Sequence, residues 1–249
     1  MKNASESMKI FSTKFYEEAV CIIYGGSLHP GGLEVTLRIG ELARVNEDSL
    51  VLDVASGKGD SALTISKNFG CKVVGVDLSK KFVKESRTKI SDNYTRENLE
   101  FLVGDAEFLP FKGSFFDVVL CECAFNLFPD KKKVLREVRQ VLKPGGKLVL
   151  ADFLLERKLH KQEKNDLTFA LCLANAETLE ILLELLKQEN FVDLYFEDHS
   201  DKLLPFGVQL LLNSDGLDPE ALKGLENLFY KDIVRYVLIV ATKPNSNLC

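Results

Sequence analysis

The stretch "VLDVASGKGDSA", residues 51–62, decides the fold. An apolar run suited to a strand ends in Gly57-Lys58-Gly59, and a helical segment follows. Glycines at such a turn let a ligand approach the backbone, and the unpaired N–H groups opening the helix favour a polar or anionic group. Outward from it, "KVVGVDL" (72–78), "LEFLVGDA" (99–106), "FDVVLCE" (116–122) and "KLVLADF" (147–153) read as four more strands. Segments of helical spacing separate them. The clearest is Val134, Leu135, Val138, Val141 and Leu142, stopped by "KPGG" at 143–146. Strands that alternate with helices predict an α/β fold: a parallel sheet with helices on both faces.

Beyond the fifth strand the pattern changes. Residues 162–191 read as two helical pieces with a break near Asn175 or Thr178, and "VDLYFEDH" (192–199) as a sixth strand. Residues 213–232 read as a loop and a helix, and "VRYVLIVATK" (234–243) as a seventh strand. The apolar "KLLPFGVQLLL" (202–212) suits an interface or a lid over an acceptor pocket. Residues 1–48 are expected to form a helical N-terminal cap. Residues 49–249 form the main domain, with helical insertions near 156–190 and 201–232.

Lys and Arg number 32 against 37 Asp and Glu, a net charge of −5 over 249 residues. That balance argues against a broad phosphate-binding surface, so no nucleic-acid partner is expected, and the Lys131-Lys132-Lys133 run reads as a solvated helix start. The N-terminal "MKNASESMKIFSTKFYEE" has no apolar core of signal-peptide length, and no stretch suits a bilayer span. With six cysteines, this predicts free thiols in a reducing cytoplasm. Cys249 is the last residue, whereas prenylation needs a cysteine fourth from the end. Oligomeric state is not readable.

Three strand ends carry carboxylates. Asp53 sits inside the first strand, Asp77 ends the second and Asp105-Ala106 ends the third, and ligands of open α/β sheets bind at that edge. Gly57-x-Gly59-x-x-Ala62 followed by Asp77 also meets a loose dinucleotide pattern. Against a dinucleotide, Asp53 occupies a position that such enzymes keep apolar, but its carboxylate suits the ammonium of an amino-acid moiety. Asp77 suits two ribose hydroxyls, and Asp105 an adenine amino group.

On these residues the sequence resembles the class I S-adenosylmethionine-dependent methyltransferases. "VLDVASGKG" is similar to their first motif, with Ala55 where a glycine is commoner. "VVGVDLS", "GDAEFLPF" and "LREVRQVLKPGGKLVLAD" are similar to the later ones. The resemblance covers about residues 24–155. It implies a Rossmann-like, seven-stranded, mostly parallel sheet with an antiparallel last strand, and S-adenosylmethionine as cofactor with S-adenosylhomocysteine as product. The cofactor set is expected to be Tyr24, Asp53, Ala55, Gly57, Gly59, Asp77, Leu78, Asp105, Ala106 and Glu122.

Methyl transfer from a sulfonium is an in-line displacement, so the enzyme chiefly aligns a nucleophile and excludes water. The acceptor is therefore weakly encoded. "CECAFNLFPDKKKVLREVRQVLKPGG" resembles the matching region of arsenite methyltransferases, which places Cys123 and Asn126 on family positions, and "FALCLANA" places Cys172 on the second metalloid-binding cysteine. "IYGGSLHPGG" (23–32) resembles a third family segment, but Gly26 stands at its cysteine position and Cys21 is five residues too early. Two thiolates would suit a soft trivalent arsenical, with Asn126 binding substrate. Against this, buried cysteines often only fill cores, which is the reading for Cys71 and Cys121. A structural zinc site is not expected, because paired CxxC motifs are missing. The alternative is O-, N- or C-methylation of a small organic metabolite such as a quinone precursor, with His29 as base, although His29 beside Pro30 also reads as a turn residue. From a different class comes a non-catalytic module that binds S-adenosylmethionine and regulates a partner.

Overall fold

The computed structural model describes residues 4–17, 29–91, 93–212 and 218–245. Its seven strands are β1 Leu50–Val54, β2 Lys72–Asp77, β3 Leu99–Val103, β4 Phe116–Glu122, β5 Leu142–Leu155, β6 Val192–Asp198 and β7 Val234–Thr242. They lie in the order β3-β2-β1-β4-β5-β7-β6, with β7 antiparallel to both neighbours and the other pairs parallel. The expected Rossmann-like sheet with its inserted last strand is therefore present.

Among the described residues, ten α-helices surround the sheet: α1 Ala4–Phe15, α2 Gly32–Ala43, α3 Asp60–Phe69, α4 Lys80–Arg87, α5 Asn93–Asn98, α6 Lys131–Val141, α7 Asp166–Ala170, α8 Leu179–Gln188, α9 Leu203–Leu212 and α10 Pro219–Tyr230. Alternation along the strands sorts side chains to two cores. Val51, Val73, Phe101, Val118 and Leu120 pack under Val35 and Ile39 of α2 and Ala62 and Ile65 of α3. Leu52, Val54, Val119 and Cys121 pack against Leu135 and Val138 of α6 and Leu182 and Leu186 of α8. Cys71 and Cys121 are buried in these cores as expected.

Two local expectations differ from what is seen. "KPGG" ends α6, but β5 begins already at Leu142, five residues ahead of the expected start, because the glycines form an irregularity within the strand: the pairing jumps from Phe116↔Leu142 to Val118↔Lys147, and Gly145 takes a φ of 75°. The lysine run is also less solvated than expected. Asp130 caps α6 by accepting from Lys133 N at 2.9 Å. Lys131 Nζ is tucked in, donating to Asn175 O at 2.5 Å and Glu177 Oε1 at 3.3 Å, and Lys133 Nζ sits 3.0 Å from the centre of the Phe108 ring. The break expected near Asn175 or Thr178 falls at Thr178, whose hydroxyl caps α8. Among the described residues, no helix is long and apolar enough to cross a membrane.

Candidate active site

Register builds the site. Across β4, β1, β2 and β3, residues Leu120, Asp53, Gly75 and Phe101 stand side by side, so Asp53 shares the α2/α3 face of the sheet. Glu122 follows Leu120 by two residues and returns to that face, one diagonal step from Asp53. On the other side of Asp53, Gly75 makes room for the Phe101 ring and Ser56: a Cβ there would lie 2.5 Å from the ring and 2.8 Å from Ser56 Oγ. The same ring supports the loop from below, since a Cβ on Gly59, whose φ is 79°, would meet it at 2.6 Å. Gly59 thus serves packing and backbone conformation, whereas Ala55 and Gly57 line the cleft above.

Glu122 is the hub of a buried network. Its Oε2 lies 2.8 Å from His29 Nε2 and accepts from Ser61 Oγ at 2.9 Å and Thr36 Oγ1 at 3.0 Å. His29 Nδ1 lies 3.4 Å from Pro30 O. Burial alone would lower the His29 pKa, but the charge and hydrogen bond of Glu122 outweigh it and raise the value. By contrast, Glu122 Oε1, Asp53 Oδ2 and Ser56 Oγ are buried and have no hydrogen-bond partner among the described residues. Burial, followed by the charges of Glu122 and Asp77, pushes the Asp53 carboxyl well up. Buried carboxylate oxygens without donors are costly. A ligand ammonium, as at the amino-acid end of S-adenosylmethionine, would supply such donors; Glu122 lines the cleft, whereas Asp53 and Ser56 are outside that lining.

Asp77 Oδ2 accepts from Gly57 N and its Oδ1 from Ser79 N, both at 2.8 Å, which holds the carboxylate at the mouth of the loop. Burial raises its pKa despite those two bonds. The cleft above occupies about 890 Å³ including its open mouth, and Asp77, Leu78, Asp105, Ala106, Glu122 and Cys123 all line it. Its roof is α1. Lys9, Ser12, Thr13 and Tyr16 face the cleft, and Lys9 Nζ lies 2.7 Å from both Asp105 Oδ2 and Glu107 Oε2. The sequence indicated a cap but not these residues, because α1 carries no glycine or charge motif of the kind that marks the loop. Tyr24, Cys21 and Gly26, like Cys249, lie outside the described residues.

The acceptor candidates are placed less uniformly. Cys123 lines the cleft, with its Sγ 3.8 Å from Tyr236 Oη. Cys172 is buried one layer behind: its Sγ donates to Cys123 O at 3.0 Å and lies 2.8 Å from Tyr16 Oη. Burial, with the charge of Asp152 next, pushes both thiols well up. Asn126 is outside the cleft lining. Its amide donates to Asp152 Oδ1 at 2.9 Å and Phe153 O at 2.8 Å, tying the turn after β4 to β5. His29 is buried against Glu122 and is likewise outside the lining. The sequence did not single out Leu127, Phe128 and Pro129, which complete that side of the cleft. A short 3-10 turn at Phe125–Leu127 aims them there, and such turns leave no periodic signal.

A family model described as a methyltransferase domain matches residues 46–197, more than half of the chain. The ubiquinone/menaquinone biosynthesis C-methyltransferase UbiE of Wigglesworthia glossinidia brevipalpis is 40% identical over 110 residues, covering 43% of this chain and 44% of that protein. The sarcosine/dimethylglycine N-methyltransferase of Halorhodospira halochloris is 28% identical over 167 residues, 67% of this chain and 60% of that one. The chain thus spans about half the length of such curated relatives. In structure it superposes on the [4+2]-cyclase SpnF with a TM-score of 0.78 at 20% identity, covering 98% of both chains. It superposes equally, at 0.78 and 20% identity, on Haemonchus contortus phosphoethanolamine N-methyltransferase 2 bound to phosphomonomethylethanolamine and S-adenosylhomocysteine, covering 96% of this chain and 60% of that one. At that identity the likeness is one of fold. Taken with the strand-end carboxylates and the glycine loop, the family match establishes that the chain belongs to the class I S-adenosylmethionine-dependent methyltransferase domain family.

Proposed function

We propose that this protein transfers the methyl group of S-adenosylmethionine to a small organic acceptor, with a ring carbon of a quinone precursor as the first candidate. The observation that carries this reading is the wall beyond the strand-end carboxylates. Ala124, Leu127, Phe128 and Pro129 make it apolar, a surface suited to a flat hydrophobic acceptor. The UbiE relatives, C-methyltransferases by name, support the same class. When bound, the cofactor supplies an electrophilic methyl: a π pair of the ring carbon forms the new C–C bond as the methyl–sulfur bonding pair returns to sulfur, and the ring proton then passes to water. The residues of the chain bind, align and exclude water. Asp53 and Glu122 hold the amino-acid end, Asp77 the ribose, and α1 closes the cleft through Lys9.

The second reading is a thiol-bound trivalent arsenical held by Cys123 and Cys172, supported by the segments resembling arsenite methyltransferases. It requires thiolates, whereas burial favours the neutral thiols and Cys172 is already bonded to Cys123 O and Tyr16. The two readings part in one assay, formation of S-adenosylhomocysteine by purified protein supplied with a short-chain demethylated quinol or with arsenite and glutathione. Turnover with the quinol, retained within about 3-fold in Cys172→Ser, is expected. Turnover with arsenite alone, abolished by that substitution, would overturn the proposal in favour of the metalloid.

A further inference from the structure

Beside the acceptor cleft lies a second depression, of about 1020 Å³ including its open mouth. The two share Phe128 and Pro129, and α1 borders both, with Lys9 on the cleft and Met8 on the second depression. Their chemistry differs. The wall of the cleft is apolar there, whereas four lysines enter the second depression: Lys131 and Lys132 from the start of α6, and Lys158 and Lys164 from the segment between β5 and α7.

The lining answers these four ammonium groups with two carboxylates, Asp130 and Glu177, in a chain whose net charge is −5. Both carboxylates are engaged. Asp130 Oδ1 caps α6, and Glu177 is divided between Lys131 Nζ at 3.3 Å and Lys158 Nζ at 3.7 Å. Lys132 Nζ donates to the neutral side chain of Gln188 at 2.9 Å, and Lys164 has no ion pair among the described residues.

A solvated helix start does not account for this gathering. Cations are disfavoured in the first turn of a helix, and that turn of α6 holds no acidic residue. The Lys131 side chain is only 11% exposed. Burial lowers its pKa against the opposing charge of Glu177, and the charge of Lys158 adds to the lowering. A concave site lined by one sign of charge concentrates the opposite ion. A phosphate ester carries about −1.5 to −2 near pH 7, which balances the excess, and lysines bind phosphate as point charges.

We propose that this depression receives a phosphate group carried by the methyl acceptor, whose organic body lies across Phe128 and Pro129 in the cleft. The shared wall makes the group part of the acceptor rather than a free anion. The proposal rests on the reading of a small organic acceptor and narrows it to phosphorylated ones.

The test is calorimetric titration of the full chain with inorganic phosphate and with phenyl phosphate at low ionic strength. Phenyl phosphate is expected to bind at least about 5-fold more tightly, because its ring adds apolar contact. Lys158→Gln with Lys164→Gln, both exposed, should weaken both ligands by about 3- to 20-fold and leave the affinity for S-adenosylhomocysteine within about 2-fold. Phe128→Ala should weaken phenyl phosphate by at least about 3-fold and leave inorganic phosphate within about 2-fold. Phosphate binding with no gain from the ring would mean a site for a free anion. A loss matched by Lys67→Gln with Lys84→Gln, which lie outside both linings, would mean diffuse attraction. Either result, or a wild-type chain that binds neither ligand, overturns the proposal. These titrations involve no methyl transfer, so the quinol assay above fails or succeeds separately: quinol turnover without phosphate binding would strike the proposal and leave that reading standing.

Discussion

At the scale of single residues, the loop keeps a strained alanine. Ala55 has a φ of 60°, left-handed backbone that disfavours a Cβ by roughly 1–2 kcal/mol. Ala55→Gly is therefore expected to stabilise the protein by about 1 kcal/mol net of the added chain entropy, raising the melting temperature by roughly 2–4 °C. An unchanged or lower melting temperature would show that the alanine is relaxed there. Asn126 illustrates the opposite error of scale. From the sequence it is a polar residue beside the acceptor region, but its amide is committed to Asp152 and Phe153. Asn126→Ala should destabilise by about 2–3 kcal/mol in urea titration, because Asp152 is left buried with fewer donors. A substrate-binding role would instead raise KM with stability intact. Sequence identifies the type of a residue, while the direction of its side chain depends on a turn that has no pattern of its own.

Among elements, the row Leu120, Asp53, Gly75 and Phe101 shows how much of the site is decided by strand register. Gly75→Ala would push its methyl to 2.5 Å from the Phe101 ring, and more than about 2 kcal/mol should be lost. Phe101→Leu in the same chain should return part of that loss, a coupling read from the double-mutant cycle. Additive losses would mean that the ring is not the obstacle. The cap is held differently, by charge. Lys9 bridges Asp105 and Glu107, so Lys9→Gln should speed hydrogen exchange in residues 4–17 while the amides of β1 and β4 keep their protection. The strands and the glycine loop were legible beforehand because each carries a local pattern. The roof was not, since what α1 covers depends on a contact of 96 residues' separation between Lys9 and Asp105.

For the whole molecule, opposing titrations set the pH of greatest stability. The His29 contribution, with its pKa raised, is complete below its unfolded value and is lost as pH rises through the folded one. Asp152, pushed up to about 6 by burial, holds its proton longer when folded, so folding gains as pH falls from about 6 toward 3.8, by roughly 3 kcal/mol. In the other direction, Glu163 and Glu197 are lowered to about 2 by Arg157 and Arg38, and their contributions fade below about 4.5. Urea titrations without ligand should therefore show a maximum near pH ~5, with stability declining toward pH ~8. A maximum on the alkaline side would show that these buried groups do not dominate. The orphaned oxygens of Asp53 and Glu122 have one more consequence. Where the ligand that completes them is scarce, the chain is in its least stable form. A ligand at 100 times its Kd adds about 2.7 kcal/mol and lowers the unfolded population roughly a hundredfold. Proteases that take the open chain would then clear the empty protein first, and its half-life in a cell would follow the size of the methyl-donor pool.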